Sequence, residues 1–391
     1  MRVVFATRIF APEISAASGI LRVWAEEFRD RGCQVTIMTA KPPRNAVIDD
    51  PSGVDVRRAP VKRDRQQYVR GYVSYMSFDV PLAFRLLFSR KADLYIVEPP
   101  PTTVAVVRVI AGIRRTPYVV RAADYWSEAA ELVTGSRFIL GTLRRVEAWG
   151  LRGASMLFAA HQPLIDKLRS AGITTPAMPI GFGADTKDFR YDNQAPPTPP
   201  VFVYAGTYSE WHGAAIFVDA LPQVLKQHPG SRLVFYGNGE DREKLQSRAH
   251  ELGLENSVEF HPAIPPAELS PILAGATASV ASVTPVPRNE YAVATKIYSS
   301  LAAGCPVIFA GIGPTVDFLR DDGHPLAGVA VGYDINATAQ AMNDAAAAPL
   351  QPPARAELAR WSVGRHSLNT IAERVAEVSI ALAGERPNIG K

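Results

Sequence analysis

Eight short apolar words, rich in β-branched residues, constrain this chain more than any other feature. VVFAT (3–7), QVTIMTA (34–40), DLYIVEPP (93–100) and PYVVRAAD (117–124) come first. VFVYAGT (201–207), RLVFYGNG (232–239), ASVASV (278–283) and PVIFAG (306–311) follow. They lack the polar alternation of a half-solvated strand, so both faces of each must be covered, which is the condition of a parallel sheet. Helix-like words run between them. In ILRVWAEEFRDRG (20–32), Leu21, Trp24, Ala25 and Phe28 share one helical face and Gly32 stops the helix. Such alternation predicts an α/β chain of doubly wound parallel sheets.

The series breaks once. NQAPPTPP (193–200) holds four prolines and no large apolar side chain, which reads as a stiff linker. The expected organisation is a first domain over 1–193, a linker over 194–200 and a second domain over 201–360. A helical segment over 361–391 begins at Trp361. The two halves would face each other across a cleft.

A length of 391 residues with 47% hydrophobic content suffices for two cores. A net charge of +4 is too small to expect a nucleic-acid partner. Cys33 and Cys305, far apart in apolar words, make neither a disulfide framework nor a metal site, and fit a reducing cytosol. Neither D-x-D nor histidines at ligand spacing occur, so no metal is expected. VAVVRVIAGI (104–113) is too short to span a bilayer and contains Arg108, so any membrane contact would be peripheral. The candidate region is the basic run RRAPVKRDRQQYVR (57–70) with YVRGYVSYMSF (68–78), where Tyr68, Tyr72, Tyr75 and Phe78 recur at helical spacing. It would suit an anionic membrane surface or an acceptor funnel, and the same spacing would serve a buried helix face.

Parallel α/β sheets bind ligands at the carboxyl ends of their strands. Gly206, Thr207 and Tyr208 follow one strand word, and Gly237 and Gly239 another. Glycines there let backbone N–H groups approach an anion, although an ordinary βα turn would read the same way. Thr295 and Lys296 open the helix word TKIYSSLAAG. A cation at a helix N-terminus opposes the macrodipole, which points to an anion such as a pyrophosphate. The alternative is a lysine whose stem lies along a packed helix. Asp124 would bind a hydroxyl or cap the next helix.

The stretch TKIYSSLAAGCPVIFAG, the ends AGT and YGNGE, and MRVVFATRIFAPE with RVWAEEFRDRGCQVTIMTA resemble the GT-B glycosyltransferases of family 4. The likeness is nearest to the bacterial branch that builds O-antigen and colanic-acid-type exopolysaccharides. The resemblance implies two Rossmann-like domains, the first binding the acceptor and the second a nucleotide-diphosphate sugar, with a C-terminal helix returning to the first. It implies retaining hexosyl transfer, in the cytoplasm or at the inner face of the plasma membrane. The acceptor would be a glycan or a polyprenyl-diphosphate-linked sugar. No cofactor would be needed beyond the sugar nucleotide, which is expected to be UDP-linked. Lys296, Asp124 and Glu290 would be catalytic. Gly206, Thr207, Tyr208, Gly237, Gly239, Thr295, Lys296 and Ser299 would bind the donor, and Glu13, Ser18, Gly19, Arg70 and Tyr72 the acceptor.

The chain also departs from the family. Tyr291 and Ser299 stand where many members have two glutamates, the second of which binds ribose. Thr207 and His212 stand where many have a diphosphate-clamping arginine and lysine. These departures leave room for a non-catalytic partner subunit, and sugar-nucleotide 2-epimerases share the same two-domain architecture.

Overall fold

The computed structural model describes residues 1–13, 15–43, 46, 48–64, 69, 71–129, 136–286, 289–290 and 292–384. The chain divides into two units, the first comprising Met1–Gly181 and the segment from Leu368 onward, the second Phe182–Ser367.

The first unit is built on strands β1 (Arg2–Ala6), β2 (Gln34–Ala40), β3 (Asp55–Ala59), β4 (Leu94–Val97), β5 (Tyr118–Ala122), β6 (Met156–Ala159) and β7 (Ala177–Pro179). They pair in parallel in the order β3-β2-β1-β4-β5-β6-β7. Its helices are α1 (Ala16–Asp30), α2 (Tyr72–Phe88), α3 (Pro101–Arg114), α4 (Trp126–Ala129), α5 (Arg137–Arg152) and α6 (Gln162–Ser170). The second unit has β8 (Val201–Ala205), β9 (Arg232–Tyr236), β10 (Val258–His261), β11 (Ala278–Val283), β12 (Val307–Gly311) and β13 (Gly328–Val331). Their order is β10-β9-β8-β11-β12-β13, again parallel. Its helices are α7 (Ala215–Gln227), α8 (Arg242–Glu251), α9 (Pro266–Ala274), α10 (Lys296–Ala302), α11 (Pro314–Asp317), α12 (Ile335–Ala347) and α13 (Pro352–Arg365). The last helix, α14 (Leu368–Gly384), belongs to the first unit. In each sheet the winding direction reverses once, between β1 and β4 and between β8 and β11, and such switch points are where α/β sheets bind ligands.

Strand alternation distributes the core. Val3 and Phe5 of β1 and Val119 of β5 pack with Trp24 and Phe28 of α1. Leu368, Ala372, Val375 and Ala376 of α14, at helical spacing, join the same cluster. Tyr118, next to Val119, points to the other face, and its hydroxyl donates to the Gly150 carbonyl of α5 at 2.5 Å. On that face α2 lies beside α3, and α3 beside α5.

Three expectations need correction. The first concerns the domain boundary, which was placed at 193. Contacts place it after Gly181, because Phe189 is buried in the second unit's core and Arg190 exchanges two hydrogen bonds with Ser270, N–H to Oγ at 2.9 Å and Oγ to carbonyl at 3.1 Å. The proline stretch therefore lies inside the second unit's boundary. The second concerns the return to the first unit, placed at 361. It begins at Leu368, since Trp361 packs on Phe318 and His366 within the second unit. The third concerns Arg57 and Arg58, read as the start of a basic run open to anions; they lie in DVRRA (55–59). It is the edge strand β3, with Arg57 paired to Asp55 at 2.7 Å, Arg58 to Asp50 at 2.5 Å, and nearby Arg63 to Glu13 at 2.6 Å. Arg65 lies outside the described residues.

Candidate functional site

In the second unit, the chain leaves β8 at the switch point through Gly206, whose φ of +120° favours glycine. Lys296, the first residue of α10, reaches across this strand end. Its ammonium donates to the Tyr204 hydroxyl at 2.6 Å and to the Thr207 carbonyl at 3.2 Å, and lies 3.8 Å from the Tyr204 ring centroid. Tyr204 is fully buried and itself donates to the Thr207 carbonyl at 3.1 Å. No carboxylate pairs with Lys296 among the described residues, and desolvation pushes its pKa down to about 7. The lysine is half-buried with its charge held over an aromatic face, which differs from a stem lying along α10.

The backbone donors assigned to this site are mostly in use. Gly206 N–H donates to Tyr236 O at 2.8 Å, Tyr208 N–H to Asn238 O at 3.3 Å, and Gly237 N–H to His261 O at 3.2 Å. Gly239 N–H bonds to the Asn238 side chain at 3.0 Å. Thr207 N–H has no protein acceptor among the described residues, and Thr207 is exposed. Gly237 and Gly239 are required for a different reason than anion binding. A Cβ on Gly237 would lie 1.9 Å from Gly206 O, and one on Gly239 would lie 1.7 Å from Tyr208 O. The two loops stack backbone on backbone. Tyr208, expected at the donor, is fully buried in the core, and its hydroxyl donates to Gly237 O at 3.0 Å.

The loop after Thr207 is pinned from several sides. Ser282 Oγ donates to His212 O at 2.6 Å, Thr284 N and Oγ1 to Trp211 O at 3.0 and 3.1 Å, and Tyr333 Oη to Gly213 O at 2.7 Å. His212 is buried, with Trp211 stacked on it at 3.7 Å. Burial first, and the Lys296 charge second, hold its pKa down to about 3. Its Nδ1 accepts from Ser209 N–H at 3.3 Å, so the neutral ring carries its proton on Nε2. His212 therefore does not replace the family's clamping cation. Thr295 is the N-cap of α10 and makes no side-chain cap bond. Ser299 is half-buried one turn beyond Lys296, and Glu290 is exposed in the turn after Asn289. Arg288 and Tyr291 lie outside the described residues.

In the first unit a second polar group gathers at the ends of β1, β4, β5 and β6. Arg121 pairs with Glu98 at 2.6 Å. Asp124 keeps exposed surface, yet enclosure by surrounding protein pushes its carboxyl pKa up, while Arg121 and His161 pull it down. Asp124 is not the cap of α4. Buried Glu147 takes that place, accepting from Trp126 N–H at 2.9 Å and Ser127 N–H at 2.8 Å. His161 caps α6 through Nδ1, which accepts from Leu164 N–H at 3.1 Å.

The acceptor residues are less uniform. Glu13 is held by both terminal nitrogens of Arg63, at 2.6 and 3.2 Å. Ser18 is buried, and the N-cap of α1 is Ser15, whose Oγ accepts from Ser18 N–H at 3.1 Å. Gly19 is exposed on α1, and an added Cβ would meet nothing within 4 Å. Gly19→Ala is accordingly expected to stabilise the protein by ~0.5–1 kcal/mol in denaturant melts. A loss of transfer activity in that stable variant would mean that a substrate needs the space. Arg70 and the side chain of Tyr72 lie outside the described residues. Among the described residues, no three His, Cys, Asp or Glu side chains group to hold a metal ion.

Sequence reasoning missed Tyr204. Inside a strand word it carries no signal of the lysine that reaches its ring.

Comparison with known proteins joins these observations. A family model described as "Glycosyl transferase 4-like domain" matches residues 19–180, and one described as "Glycosyl transferases group 1" matches 199–347. A D-inositol 3-phosphate glycosyltransferase of Acidothermus cellulolyticus is 30% identical over 48% of this chain. The match spans only 42% of that relative's length. Sucrose-phosphate synthase from Thermosynechococcus elongatus superposes with a TM-score of 0.73 at 17% identity, covering 98% of this chain and 99% of that one. The Anabaena protein HepE, solved in complex with UDP and glucose, gives 0.70 at 18% identity over 97% and 100%. With both halves matched in order on two parallel α/β units, the chain belongs to the GT-B glycosyltransferases of family 4.

Proposed function

We propose that this protein transfers a hexosyl group from a UDP-sugar to a glycan or polyprenyl-diphosphate-linked acceptor, with retention of anomeric configuration, in surface-polysaccharide assembly at a membrane. The observation that carries the reading is Lys296, an ammonium at a switch-point strand end with no carboxylate partner, beside the open Thr207 amide. A sugar diphosphate supplies the missing anion, and HepE, a fold neighbour, was solved with UDP and glucose.

In the proposed step the bond from C1 to the diphosphate oxygen breaks and the acceptor oxygen bonds C1 from the same face. The acceptor proton passes to the departing phosphate oxygen. Lys296 and Thr207 N–H stabilise the charge that develops on the leaving diphosphate. Ser299 is assigned a ribose contact and Glu290 the outer rim of the donor site, while Asp124 is assigned a substrate hydroxyl. No bound metal is invoked, so EDTA is expected to leave transfer unchanged.

The direct test incubates the enzyme with UDP-sugar, with and without a glycan acceptor, and follows the anomeric proton by NMR. Retained configuration and dependence on acceptor support the reading. Inversion overturns the same-face step, and reaction without acceptor indicates an epimerase.

The lysine also makes binding pH-dependent. Below pH about 7 Lys296 is already charged in the free protein. Above it, a bound diphosphate must draw a proton onto the amine. UDP-glucose, whose diphosphate diester does not titrate nearby, is expected to lose about tenfold in affinity per pH unit above that point. Calorimetry in buffers of different ionisation enthalpy should register the proton uptake, and a flat affinity between neutral pH and pH 9 would contradict it.

A further inference from the structure

Among the described residues, α2, α3 and α5 leave large apolar side chains exposed on their outer sides. These form stripes along the helices. Val80, Phe84 and Phe88 follow one another at i, i+4 and i+8 on α2, Ile113 stands on α3, and Phe138 and Ile139 lie at the start of α5. Phe84 is 59% exposed, Phe88 79%, Ile113 61% and Phe138 83%. The helices that carry them are neighbours, α2 beside α3 and α3 beside α5. Exposed apolar side chains that cluster on one side of a protein mark interaction or membrane surfaces, whereas isolated ones do not.

The charges on the same helices have one sign. Together α2, α3 and α5 contain seven arginines and two acids, Asp79 and Glu147, and both acids are buried. Arg137, Arg144, Arg145 and Arg152 are exposed, and Arg90 and Lys91 follow α2.

We propose that this face docks on an anionic phospholipid bilayer, with the phenylalanines entering the interface and the arginines meeting lipid phosphates. The inference rests on the membrane contact put forward above and gives it a surface. A second copy of the chain is disfavoured as the occupant, because a two-fold contact would set arginines against arginines with no exposed acid on these helices to pair them. No helix among the described residues is long and apolar enough to cross a membrane, so docking would be interfacial.

The test is flotation of the full chain with vesicles of phosphatidylglycerol and phosphatidylcholine, and with phosphatidylcholine alone. Two variants accompany it, Phe84→Ser with Phe88→Ser, and Arg137→Glu with Arg145→Glu. All four positions are exposed, so thermal melts should match the wild type. The expected result is binding to the anionic vesicles that exceeds binding to the neutral ones and falls by about tenfold or more in each variant. Absence of anionic-vesicle binding, or its survival in both variants, overturns the proposal. So does concentration-dependent dimerisation that the phenylalanine variant abolishes, since the face would then belong to a second copy. UDP-glucose binding, measured on the same samples, reports the transferase reading separately. Its absence with membrane binding intact would sink that reading and leave the docking face standing.

Discussion

Lys296→Met is expected to weaken UDP binding about a hundredfold without unfolding the protein. Methionine keeps the length and apolar stem of the side chain and removes only the ammonium. A hydrogen bond to a charged group contributes ~1.5–3 kcal/mol, and two decades of affinity correspond to about 2.7 kcal/mol. The same substitution should raise thermal stability near neutral pH. Folding lowers the Lys296 pKa from its ordinary 10.5 to about 7, so the folded state disfavours the charged amine. That penalty is fully present below pH about 7 and fades as pH rises toward the unfolded-state value. The gain in Tm from methionine should therefore be largest at or below neutrality and shrink in alkali. Calorimetry with UDP and melts at two pH values check both parts. Unchanged UDP affinity would reduce Lys296 to a packing residue.

The second large effect is expected at Gly237. Its φ is +151°, and an added Cβ would lie 1.9 Å from the Gly206 carbonyl oxygen, a backbone atom that cannot rotate aside. Gly237→Ala is expected to cost ~3 kcal/mol or more, combining backbone strain with overpacking. It should also weaken UDP binding in the fraction that folds, because the displaced strand end carries Thr207 and faces Lys296. Gly253→Ala is the control. Gly253 also has positive φ, +66°, but nothing lies within 4 Å of its Cβ position, so only the conformational cost of ~1–2 kcal/mol applies. Urea midpoints compare the two. Equal costs would mean that the two loops do not press together as described.

Several features were legible in the sequence because they depend on local pattern. Continuous apolar strand words imply cover on both faces, and the strands they name are parallel. The spacing of Leu21, Trp24, Ala25 and Phe28 placed α1's buried face correctly. Lys296 stood out because a cation at a helix start opposes the macrodipole. The edge strand β3 was hidden because its arginines look like solvated charge, and only pairing with Asp55 and Asp50 shows otherwise. Arg355 was hidden in the same way. It is fully buried, and its guanidinium donates to the carbonyls of Leu350, Ala274, Ala276 and Thr277.

The sequence by itself determined the α/β class, the element types around the loops after β8 and β9, and the place of Lys296 at a helix start, since each follows from periodicity or from one residue opposing its local field. Only the tertiary structure decided what the glycines and polar groups do. Gly237 and Gly239 are needed by neighbouring backbone, Gly206 N–H is held within the sheet, and Thr207 N–H remains open. It also decided that Tyr204 lies beneath the ammonium, that Glu147 displaces Asp124 as a cap, and that the second unit begins at Phe182. Each of these depends on which strand ends and side chains, distant in sequence, come within hydrogen-bonding or van der Waals reach. Local pattern carries no record of those distances.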